Sequence, residues 1–126
     1  MEHVTRMLPR ESARLDAEQL EKLYVTLGEV EADNVLSRAM EEMAIRIKQG
    51  ETLYEAGSPV ELANTMRSLV RIADQVGLNT VSRVASDVLI CLERGDWIAL
   101  GATFARLIRC SDQSLTAIWD LQDITV

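Results

Sequence analysis

The sequence predicts an all-α protein: an antiparallel up-down four-helix bundle with an additional N-terminal helix. Three observations carry this expectation. Apolar residues recur at steps of three and four along most of the chain, and no segment alternates apolar and polar residues with the period of a strand. Glycine and proline are sparse, at six and two in 126 residues, and they fall between the periodic segments. The resulting connections span only two to four residues, which makes sequential helices antiparallel neighbours.

Leu15-Asp16-Ala17-Glu18-Gln19-Leu20 reads as the start of the additional helix. Asp16 suits the N-cap, Gln19 the third helical position of a capping box, and Leu15 a staple onto Leu20. This helix ends near Gly28, and residues 1–14 form an arm or a short helix limited by Pro9. The second helix runs from about Glu29 to Ala56, with Leu36, Met40, Met43, Ile47 and Tyr54 on one stripe. Gly50 shares that stripe and marks a bend or the close approach of a neighbour.

Gly57-Ser58-Pro59-Val60-Glu61 is the clearest boundary in the chain. Gly57 closes one helix; Ser58 caps the next, with Pro59 in its first position and Glu61 completing a capping box. Leu62, Met66, Leu69, Ala73 and Val76 then form the core stripe, while Asn64, Arg67, Arg71 and Asp74 lie on the opposite face. Gly77 ends this helix, and Asn79 or Thr80 caps its successor, which carries Val81, Val84, Ala85, Val88 and Leu92 on one stripe. Gly95-Asp96 is a further stop and start. The last helix shows Leu100, Phe104 and Leu107, with Leu115 and Ile118 continuing the pattern to about Trp119.

A chain of this length is expected to form one domain, residues 1–126, with a sizeable core. Charge is uneven: residues 1–63 hold 13 acidic and 7 basic side chains, and residues 64–126 hold 7 acidic and 6 basic, for a net charge of −7. That balance argues against nucleic acid, which requires a clustered basic face; the small basic group of Arg67, Arg71, Arg83 and Arg94 falls short of one. No apolar run reaches the ~20 residues of a membrane span, and Met1-Glu2-His3 does not open a signal peptide, so a cytoplasmic location without membrane contact is expected.

Catalytic chemistry has little to build on, and the expectation is that the chain is not an enzyme. The one histidine, His3, lies near the N-terminus, and Cys91 and Cys110 are 19 residues apart without a CxxC pair. No phosphate-cradling glycine loop is present, and no metal or cofactor is expected. Cys91 and Cys110 read as small core hydrophobes, Met40, Met43 and Met66 as core fillers, and Glu29, Glu31, Glu41 and Glu42 as a solvated face.

From Ser58 to Leu107 the order and spacing resemble a histidine-containing phosphotransfer (Hpt) domain, a four-helix bundle that passes phosphoryl groups between receiver domains. The active helix of that family reads roughly Ala-His-Thr-Leu-Lys-Gly-Ser, and a glycine ends it ten residues after the histidine. Counting back ten from Gly77 reaches Arg67, and without a gap Leu69 then matches the motif's leucine. Val81, Ala85 and Val88 match the next helix's core, and Gly95-Asp96 the turn after it. In this register Val70 and Arg71 replace the motif's lysine and glycine. A second register, Ala63-Asn64-Thr65-Met66-Arg67-Ser68, puts Asn64 at the histidine position.

Both registers imply a degenerate Hpt domain without a phosphoacceptor, similar to the plant pseudo-phosphotransfer proteins. Arginine stays protonated and offers only donors, and an amide nitrogen is not a useful nucleophile. The resemblance implies a non-catalytic partner of a response-regulator receiver domain or a histidine kinase in a two-component phosphorelay. Arg67 would meet the receiver's acidic pocket, flanked by Asn64, Arg71 and Asp74. The alternative is a helical interaction module or homodimer with no phosphorelay partner, built on apolar residues such as Trp97, Ile98, Ile118 and Trp119, unless the tryptophans merely cover the bundle's ends.

Overall fold

The computed structural model describes residues 18–125, and side chains over 18–120. Within them every regular element is an α-helix: α1 over residues 18–27, α2 Glu29–Ala56, α3 Pro59–Gln75, α4 Asn79–Arg94 and α5 Trp97–Thr125. Turns of two or three residues separate α2 through α5. Helix α3 packs along both α2 and α4, α4 packs along α5, and α2 meets α5 over a shorter stretch. The all-helical reading and the element order therefore hold. Leu15 and Asp16, the proposed start of α1, and His3 lie outside the described residues.

The core follows the predicted stripes. Leu36, Met40 and Met43 of α2, Leu62, Met66, Leu69 and Ala73 of α3 with Val76 just after it, Val81, Val84, Ala85 and Val88 of α4, and Leu100, Phe104 and Leu107 of α5 are buried. Ile47 and Leu92 pack partly buried against them. Tyr54 departs from its stripe: it is 37% exposed and stacks on Phe104 at 4.9 Å, at the rim of the α2–α5 contact. Gly50 marks a close approach, since a Cβ there would lie 3.2 Å from Met66 Cε and 3.5 Å from Phe104. A bare backbone at this point lets α3 and α5 side chains reach α2.

Helices α2 and α5, at 28 and 29 residues, are far longer than α3 and α4, at 17 and 16. At ~1.5 Å per residue the excess is about 18 Å. Helix α1 seats on the α3–α4 turn. Gln19, the expected capping-box residue, lies against Gly77, where a Cβ would come within 2.6 Å of Gln19 Cβ. Gly77 also has φ +75, a left-handed conformation that glycine adopts without the Cβ penalty. Leu20 is buried, and the Tyr24 hydroxyl donates to Asp33 Oδ1, tying α1 to α2 across Gly28.

Two capping expectations are corrected. Ser58 is the residue before α3 and its carbonyl accepts from Leu62 N at 2.9 Å, but its side chain makes no cap bond. Its ψ of 80 falls short of the extended values that aim a cap hydroxyl at the first helical turn. Helix α4 begins at Asn79 rather than after it, with fully buried Leu78 as the flanking residue. Anchoring Leu78 in the core brings Asn79 into the helix and buries Thr80.

Asp96 does cap α5, accepting from Ala99 N at 3.1 Å. Asp96→Ala is expected to lower stability by about 1 kcal/mol, read by denaturant titration. Ser111 is 1% exposed, and its hydroxyl has no hydrogen-bond partner among the described residues. Ser111→Ala removes that unsatisfied group and should raise stability by roughly 1 kcal/mol, visible as a higher melting temperature.

Candidate functional site

The spacing of Asn64, Arg67, Arg71 and Asp74, at steps of three, four and three, places them on one stripe of α3, and all four are exposed. Leu62, Met66, Leu69 and Ala73 hold the helix from the opposite side, so the polar stripe is fixed by burial of its back. The stripe runs for ten residues, about 15 Å. It is one face rather than one focal point.

Its members differ in what holds them. Arg67 Nη1 donates to Asn64 Oδ1 at 2.9 Å, a bond one turn back along the helix. Arg71 Nη2 donates to Ser68 Oγ at 3.3 Å. Asp74 accepts from Ser82 Oγ at 2.5 Å, which ties it to α4, and it borders the depression between α1 and the end of α3. The structure therefore couples Asn64 to Arg67 and draws Asp74 away into the fold's own contacts. Arg83 and Arg94 of the small basic group are exposed on α4.

A groove of about 490 Å³ between α3 and α4 passes beside Arg67. Its floor and sides are apolar: Val60, Ala63, Leu89, Ile90, Leu92 and Trp97, with Glu93 on the α4 side. Val60 is 75% exposed and Trp97 58%. Asn64 lies on the other flank of α3, in a polar depression shared with Lys48, Gln49 and Thr52 of α2. The apolar groove went unread in the sequence. The signal available was the pair Val60 and Ile90, apolar residues lying off the core stripes of their helices.

Of the four apolar residues offered for an alternative interface, Trp97, Ile98 and Trp119 are exposed. Ile118 is not: it is 1% exposed and joins the core that contains Leu20. The long C-terminal half of α5 continues the core past the start of α4, so Ile118 packs inward, as its place on the α5 stripe predicts, while Trp119 turns out. Neither tryptophan is sealed over a bundle end.

Cys110 is buried, with Sγ donating to Leu107 O, and Cys91 is half-buried beside Thr103 Oγ1. Among the described residues, no three His, Cys, Asp or Glu side chains are grouped to hold a metal ion, and no helix is long and apolar enough to cross a membrane. No family model, curated protein or solved structure matches the chain.

Proposed function

We propose that the chain is an Hpt-like up-down bundle that binds a response-regulator receiver domain and modulates a phosphorelay without carrying phosphate. The observation that carries this reading is Arg67. It stands exposed at the middle of α3, steadied by Asn64, beside an apolar groove. A guanidinium on such a surface suits recognition of carboxylates or a phosphoryl group, because its fixed fork of donors bonds to two oxygens at once. The bond to Asn64 leaves donors over for a partner. The neighbouring groove supplies apolar area, and charge at its edge supplies orientation and rate of encounter.

The departure from the family pattern shapes the mode of docking. Arg71 stands where the motif's glycine would leave room, and its side chain is exposed beside Ser68. A receiver therefore approaches over two arginines rather than onto a bare backbone, and its acidic pocket is the complementary surface.

The test is a titration of the chain against receiver domains of response regulators, each with and without a beryllofluoride phosphoryl mimic. A saturable complex with one or more receivers is expected. Absence of binding to every receiver, in both states, would reject the reading.

A further inference from the structure

We infer that the α3–α4 groove is a self-association face, covered by a second copy of this chain in a two-fold arrangement. The inference does not rest on receiver binding. It rests on how charge is distributed about the groove. Arg67 lies on the α3 side and Glu93 on the α4 side, and both are exposed. Between them runs an apolar strip of Val60, Ala63, Ile90 and Trp97, of which Val60, Ile90 and Trp97 are 75%, 43% and 58% exposed.

Arg67 is seven residues along α3 from Val60, about 10 Å. The α4–α5 turn brings Trp97 to the same groove end as Pro59, and Glu93, near the end of α4, lies four residues before it in the chain. A strip with a cation toward one end and a carboxylate toward the other is complementary to itself. In a two-fold pair, residue i of one copy meets residue j of the other, and j meets i. Turning one copy by half a revolution about the strip's centre sets each Arg67 against the other copy's Glu93 and stacks the apolar strips together. Two cross-pairs then flank one shared apolar centre, the usual division between an interface's core and its rim.

The depression between α1 and the end of α3 also carries opposite charges, Lys22 and Asp74, but there Asp74 is already held by Ser82, and the exposed Val25 and Val30 nearby stand outside its lining. Isolated surface apolar residues of that kind are ordinary.

Such a dimer also has a consequence for Arg67. Each copy's guanidinium is engaged by the other, so self-association and receiver binding through Arg67 exclude one another, and protein concentration sets how much of the face is open.

Sedimentation velocity on the full chain alone, with no receiver present, tests this. A reversible monomer–dimer equilibrium is expected. Arg67→Glu and Glu93→Arg should each raise the dimer dissociation constant at least about tenfold, and the double swap should restore it to within about threefold. Both positions are exposed, and circular dichroism of each variant verifies the fold. A monomer at every concentration up to several hundred micromolar would overturn the inference. So would a dimer unmoved by both single swaps, which would use another face. Single swaps that weaken the dimer without rescue in the double swap would overturn the Arg67–Glu93 pairing.

Discussion

Gly77→Ala should destabilise the protein by about 2–4 kcal/mol, a drop in melting temperature on the order of 10 °C for a domain of this size. Two penalties add at this position. The backbone has φ +75, so any side chain meets the left-handed penalty of about 1–2 kcal/mol. The new methyl would also lie 2.6 Å from Gln19 Cβ, which sits at the root of its side chain and cannot swing aside. Helix α1 must then lift from the α3–α4 turn, and burial of Leu20 is weakened with it. Gly57→Ala is the control. Its φ of +68 carries the same backbone strain, but nothing lies within 4 Å of its Cβ position. It should cost only about 1–2 kcal/mol. Equal losses at the two positions, measured by denaturant titration, would show that the seating of Gln19 on Gly77 contributes nothing.

Arg67→Glu carries the largest expected effect on binding. At a contact between a guanidinium and an acidic receiver pocket, losing the pair costs about 2 kcal/mol or more, and reversing the charge adds repulsion. Receiver affinity should therefore fall at least ~30-fold. Asn64→Ala, which removes only the bond that steadies Arg67, should cost less, about threefold to tenfold. Arg106→Glu makes the same charge change at an exposed position of α5 and should leave affinity within about twofold. Calorimetric titration of the three variants gives the ranking. Equal losses for Arg67→Glu and Arg106→Glu would mean that net charge, not the α3 face, governs the encounter.

Much of this was legible in the residues. Stripes at three- and four-residue steps identify the helices because burial on one side is what makes an amphipathic helix stable. Leu62, Met66, Leu69, Ala73 and Val76 are buried as their spacing requires, and Asn64, Arg67, Arg71 and Asp74 are exposed for the same reason. What escaped depends on contacts between helices. The cap at Asn79 failed because tertiary packing decides it: Leu78 is drawn into the core and carries the start of α4 with it, while the cap at Ser58 failed on its own backbone angle. Ile118 stood both on the α5 stripe and among the interface residues, and burial decides for the stripe because the core continues along α5 beyond the start of α4. Pattern along one helix likewise could not show that Val60, Ile90 and Trp97, from three different helices, border one groove next to Arg67. Nor could it show that Asp74 is tied to Ser82 of α4.

Under the proposed reading the α3 face is a partner surface of donor groups, with Arg67 or Asn64 at the position where the domains it resembles present an imidazole. The most direct measurement mixes the chain with a receiver carrying a radiolabelled phosphoryl group, then follows both complex and label on one native and one denaturing gel. The predicted result is a complex on the native gel, with all label remaining on the receiver or released as inorganic phosphate. Label appearing covalently on this chain would contradict the account at its centre, since it requires a phosphoacceptor that neither Arg67 nor Asn64 supplies. Labelled receivers that all migrate unbound at every concentration of the chain would contradict it equally, by removing the partner.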